Sequence, residues 1–129
     1  MLRDALPVPT RTNITSAELR VGLGMTEEAF EAFRTVARQT HRRHRLAASD
    51  GSPNVLTDAA ASWNKIPAAL QRAMVDDVIR QCGRLRLFPA VLSMEVVEAT
   101  VKHRLAIVRR QWRQSVGASQ GQDQNEAHL

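Results

Sequence analysis

The chain has 129 residues, 43% hydrophobic and 24% charged, a balance that fits one soluble globular domain with a modest core and excludes wholesale disorder. Its formal net charge is +5 and arginine supplies 16 of the 18 basic residues, which favours acidic partners such as phosphates or acidic protein surfaces. Heavy arginine and alanine usage also follows from GC-rich coding sequence, so composition alone does not choose between a binding surface and a solvated one. Cys82 is the single cysteine and closes no internal disulfide. Arg3, Asp4, Pro7 and Pro9 stand where a signal peptide needs an apolar run, and no stretch reaches the roughly 18 apolar residues of a bilayer span. An intracellular protein that meets no membrane is expected.

Residues 1–13 carry two prolines and little periodicity, and read as a flexible lead-in. Thr15, Ser16, Ala17 and Glu18 match a capping box, which opens a short helix that Gly22 and Gly24 end. Thr26 caps a long helix from about Glu27 to Arg45, with Phe30, Phe33, Val36, Ala37 and Thr40 on one side and Arg34, Arg38, Arg42 and Arg45 on another. Leu46 to Val55 contains Asp50, Gly51, Ser52 and Pro53 and predicts a mobile loop. Helix is expected to return near Thr57 or Asp58. A further helix starts with Pro67 in its first turn, carries Leu70, Met74, Val75, Val78 and Ile79 inward and ends at Gly83.

The alternation from Arg84 to Leu87 reads as a connector closed by Phe88 and Pro89. Ser93 then caps the second long helix, from about Met94 to Arg113, whose Met94, Val97, Val101, Leu105, Val108 and Trp112 form the cleanest apolar stripe in the chain. From Ser115 on, Gly, Ser, Gln and Asn predict a disordered tail. The expected architecture is all-α, a small orthogonal or bundle-like domain of four to five helices over residues 14–114, with flexible ends at 1–13 and 115–129.

Both long helices carry acids near their starts, Glu27, Glu28 and Glu31 in one and Glu95 and Glu98 in the other, and bases toward their ends. That ordering admits two accounts. One is helix-dipole chemistry, which favours cations at a helix end by a few tenths of a kcal/mol. The other is phosphate contact through bidentate guanidinium forks, densest in the run from Arg38 to Arg45. Convergence of the two ladders on one surface would favour the second.

Other constellations carry less. Leu19, Leu23, Gly24, Met25, Phe30 and Phe33 match the spacing of a helix-turn-helix, but its second helix would press Thr26, Glu27, Glu28 and Glu31 toward phosphates, and Arg20 takes a packing position usually held by a small residue. His41 and His44 share a helix face, yet no Cys, Asp or Glu at matching spacing completes a metal site. Cys82 has no partner base, and the adjacent Asp76 and Asp77 point to different helix faces. No phosphate loop, nucleophile elbow or zinc motif is present, so neither an enzyme, a cofactor nor a small-molecule substrate is expected.

These readings lead to a non-catalytic helical interaction module in nuclear, nucleic-acid-associated machinery, of the transcription or chromatin kind. Arg38, Arg42, Arg43, Arg45, Lys102, Arg109 and Arg113 would contact the phosphate backbone without reading sequence. The rival is a protein adaptor that binds an acidic or amphipathic peptide in a groove at Trp63, Ile66 and Leu70, leaving the arginines to steering and solubility. The stripe of the second long helix would serve packing within one chain or pairing with a second copy equally well, so oligomeric state stays open.

Overall fold

The computed structural model describes residues 15–47 and 55–127, with side chains to Gly117. Four α-helices and no strand occur among the described residues: α1 (Ser16–Leu23), α2 (Glu27–Ala47), α3 (Ala68–Leu85) and α4 (Met94–Ala127). The all-α expectation is therefore met with four helices. The lead-in and the Asp50 to Pro53 loop lie outside the described residues.

The caps follow from local chemistry. The Thr15 hydroxyl accepts from the Glu18 amide at 3.1 Å and the Glu18 carboxylate accepts from the Thr15 amide at 3.4 Å, completing the capping box. Gly24 ends α1 at φ 72°, the left-handed conformation that glycine adopts without steric cost. The Thr26 hydroxyl accepts from the Ala29 amide to open α2, and the Ser93 hydroxyl accepts from the Val96 amide to open α4.

Three helix boundaries and one expected helix differ from the sequence reading. Pro67 is the N-cap of α3 rather than its first turn, and α3 continues past Gly83 to Leu85, where Arg86 turns left-handed at φ 54° and donates its amide to Gly83. Near Thr57 and Asp58 no α-helix forms. Val55–Thr57 and Trp63–Lys65 are single 3-10 turns instead, and the carbonyls of Val55, Leu56, Asp58, Ala59 and Ala61 accept from arginine side chains of α4, those of Val55 and Asp58 also from the amides of Asp58 and Ala61. The helix expected to stop at Arg113 runs to Ala127, through a stretch with no proline. Extending an established helix adds one hydrogen bond for each residue fixed, so the glycines there do not suffice to end it.

Helices α2, α3 and α4 each pack on the other two. Phe33, Ala37, Met74, Val75, Val78, Val101 and Leu105 form the centre of the core, and α1 closes one end with Leu19 and Leu23. Phe33 meets Phe30 and Phe88 edge to face, at centroid distances of 5.8 and 5.1 Å, which anchors the Phe88 connector against α2. The α4 stripe is buried from Val97 to Val108, whereas Met94 is exposed and Trp112 half-buried.

Two pairs of contacts fix helix direction. Thr40 bonds Gln81 while Arg43 bonds Asp77, so α2 and α3 run antiparallel. His41 meets Arg109 while Arg45 stands over Trp112, so α2 and α4 run in the same sense and bring their C-terminal halves together. Among the described residues no helix is long and apolar enough to cross a membrane.

Gly83 lies exposed inside α3 with open space where a Cβ would stand. Gly83→Ala is expected to stabilise the fold by about 0.5–1 kcal/mol, seen as a higher urea midpoint at unchanged m-value.

Candidate functional site

The parallel packing of α2 and α4 leaves a cleft of about 480 Å³ between their C-terminal halves. Arg38, Arg42 and Arg45 line it from α2, one helical turn apart, and Val108, Gln111, Trp112 and Ser115 line it from α4. His41 forms part of its inner wall. Among the described residues none of the three arginines bonds a carboxylate. Arg38 bonds only the Thr35 hydroxyl, at 3.4 Å, and the Arg45 guanidinium stands 4.8 Å from the Trp112 ring centroid. Burial, and next the charge of Arg42, lower the pKa of Arg45, so this position disfavours the Arg45 cation.

Arg109 takes a different place from the one expected of it. It is fully buried, and its guanidinium has five acceptors for its five N–H groups. Nε donates to the Ala61 carbonyl at 3.0 Å, Nη1 to the Leu56 carbonyl at 2.7 Å and to His41 Nε2 at 3.2 Å, and Nη2 to the carbonyls of Val55 at 3.1 Å and Asp58 at 2.7 Å. Arg113 extends this clamp, donating from Nε to the Ala59 carbonyl at 2.8 Å. The two residues organise the segment from Val55 to Ala61. A buried, fully bonded guanidinium has nothing left for a phosphate, so Arg109 drops out of any surface.

The clamp fixes the state of His41. To accept from Arg109, Nε2 must be unprotonated, which leaves the proton on Nδ1. Burial, then the nearby charges of Arg109, Arg45 and His44, push its pKa from 6.5 to about 4. The His41 ring also meets Trp112 edge to face at 5.8 Å, and the Arg109 guanidinium lies 4.6 Å from the Trp112 centroid. The buried clamp therefore backs the cleft.

Arg43 and Lys102 lie away from the cleft. Arg43 turns to α3 and bonds Asp77 at 2.8 Å, and His44 and Arg80 bond the same carboxylate at 3.1 and 3.0 Å. Burial alone would raise Asp77, but the hydrogen bonds from Arg43, Gln81 and His44 outweigh it and hold the carboxyl well below the usual range. Lys102 is exposed beside Glu98, which itself bonds Arg72 of α3. The two arginine ladders thus meet at one end of the molecule, but only the α2 ladder faces the cleft.

The peptide groove also differs from expectation. Ile66 is closed into the core, Trp63 and Leu70 pack on it half-buried, and the Trp63 carbonyl accepts from Gln71 at 2.8 Å. Cys82 is fully buried and desolvation pushes its thiol up to about 12. Among the described residues no three His, Cys, Asp or Glu side chains gather as a metal site.

Sequence reasoning overlooked one more cation. Arg104 is 3% exposed, flanked by Arg34 and Arg38, and its Nε and that of Arg34 are buried without a hydrogen-bond partner. Burial, then those two arginines, push its pKa down to about 10 against the partial offset of Glu31. The signal was present in the stripe itself: Val97, Val101, Arg104 and Val108 follow three- and four-residue steps, which puts a cation at a core position. Compared with protein-family models, curated proteins and solved structures, the chain shows no significant match.

Two expectations follow. Arg109→Met takes a side-chain donor from four carbonyls and should cost about 3–5 kcal/mol, with hydrogen exchange accelerated first at 55–61. Stability should also fall with acid. As pH drops below about 6.5 the unfolded chain protonates His41 before the folded one does, so stability is complete above that pH and declines toward pH 4, by on the order of 2–3 kcal/mol. His103 is pushed the same way by burial and by Arg104 and Arg110, so the comparison is with His41→Gln, whose pH dependence over this window should be shallower.

Proposed function

We propose that this chain is a non-catalytic helical module of nucleic-acid-associated machinery, holding the phosphate backbone in the α2–α4 cleft without reading base sequence. Arg38, Arg42 and Arg45 are the contacting cations, and Trp112 forms the aromatic wall over which Arg45 stands. The nucleus, in transcription or chromatin, is the setting this reading implies.

One observation carries it. Arg34, Arg43, Arg72 and Arg80 each bond a carboxylate, whereas Arg38, Arg42 and Arg45, the three that line the cleft, bond none among the described residues. Guanidiniums left unneutralised on one wall are free to exchange counterions for phosphates, the source of sequence-independent affinity. The adaptor reading loses support because Ile66 is closed into the core.

Fluorescence anisotropy with labelled single- and double-stranded oligonucleotides at low salt tests this. Binding should be indifferent to base sequence, and Arg38→Ala with Arg42→Ala should weaken it about tenfold or more and shrink the salt slope by about 2. Absence of binding at low salt, or a slope that the double substitution leaves unchanged, sinks the reading. Binding of an acidic peptide but of no oligonucleotide would return the adaptor.

A further inference from the structure

The protein handles two buried arginines of the same helix in opposite ways. Arg109 meets five acceptors, and its charge is spread over carbonyl dipoles and an imidazole. Arg104 is 3% exposed, and among the described residues it makes no hydrogen bond or ion pair. A cation taken out of water without a partner is among the costliest arrangements a fold can hold. Here two more cations, Arg34 and Arg38, face it from α2.

Among the described residues Glu31 is the carboxylate acting on this group, and it already bonds Arg34 at 3.1 Å. One carboxylate against three guanidiniums leaves a local excess of positive charge. Water can hydrate a bare N–H but does not neutralise that excess. Arg38 also lines the cleft, so the cluster sits at the cleft's end nearest the start of α2.

We propose that Arg34, Arg38 and Arg104 form a subsite for a phosphoryl group, whose negative charge, about −1 in a phosphodiester and about −1.5 to −2 in a free phosphate, is spread over several acceptor oxygens that can meet several guanidiniums at once. The inference rests on the reading of the cleft as phosphate-facing and names where a phosphate seats most deeply. The phosphoryl group belongs either to a nucleic-acid backbone or to a small free phosphate ligand, and both share this chemistry.

The experiment uses the full chain and inorganic phosphate, titrated at constant ionic strength while the arginine Nε–Hε resonances are followed by NMR and the melting temperature is recorded. The Arg104 resonance should shift saturably and melting should rise by a few degrees, since a ligand of the folded state stabilises it. Arg104→Met should abolish the phosphate response while melting no lower than wild type without phosphate, because the unpaired cation is gone. Arg38→Gln, at the partly open rim, should weaken phosphate about tenfold in an intact fold and keeps the test alive if Arg104→Met does not fold. An oligonucleotide that displaces phosphate from Arg104 supports a backbone source, and phosphate binding without oligonucleotide binding supports a free ligand and removes the proposed function alone. An Arg104 resonance that phosphate leaves unmoved, a phosphate response that survives Arg104→Met, or an equal response to acetate overturns the subsite even if oligonucleotides bind.

Discussion

The buried guanidinium of Arg109 is the contact on which the rest of the arrangement depends. The segment from Val55 to Ala61 has too few residues to satisfy its carbonyls in a helix, and it follows residues with strong turn chemistry. Its own amides reach the carbonyls of Val55 and Asp58, and the segment takes further donors from outside. Arg109 and Arg113 supply them from two turns of one face of α4, which joins a non-helical segment to the three-helix core. Among the described residues no carboxylate bonds either guanidinium. A delocalised cation divided among carbonyl dipoles keeps every N–H bonded, the condition under which a buried charge is tolerable.

Helix direction then distributes the remaining charge. Because α2 runs antiparallel to α3, its Arg43 and His44 meet Asp77, and that flank is neutralised within the chain. Because α2 runs parallel to α4, its Arg38, Arg42 and Arg45 meet a wall of Val108, Gln111 and Trp112 and bond no carboxylate among the described residues. The same helix thus presents one face of closed ion pairs and one of open cations. Exposed ion pairs of the first kind contribute on the order of 0–1 kcal/mol, so the distinction matters more for where anions can land than for stability.

Much of the fold was legible. Capping boxes, glycine at a helix end and apolar steps of three and four depend on neighbours close in sequence, and Thr15, Gly24, Thr26 and Ser93 act as their types predict. The 55–66 segment was not legible, because its conformation is set by side chains about fifty residues away. The site was half legible for the same reason. Arg38, Arg42 and Arg45 form a face that helical periodicity defines by itself, and the four-residue step from Leu105 puts Arg109 at the margin of the α4 stripe with Arg110 opposite, but no local pattern names the carbonyls that Arg109 holds. Arg104 could have been found by reading the stripe for the residue that does not belong in it.

The acid-first, base-last order of both long helices suggested one cause for both, and the two helices turn out to have different ones. In α2, which ends at Ala47, His44 and Arg45 do lie in the last turn, where the dipole favours cations. In α4, Arg109 and Arg113 stand well inside a helix that continues to Ala127, beyond the reach of an end effect that fades within one turn. Their presence is explained by the carbonyls they hold. This also limits what substitutions at the clamp can reveal, since His41 and Trp112 belong to clamp and cleft at once. Lost binding after a change at Arg109 would report a deformed wall and no contact, so arginines outside the clamp are the ones that separate recognition from folding.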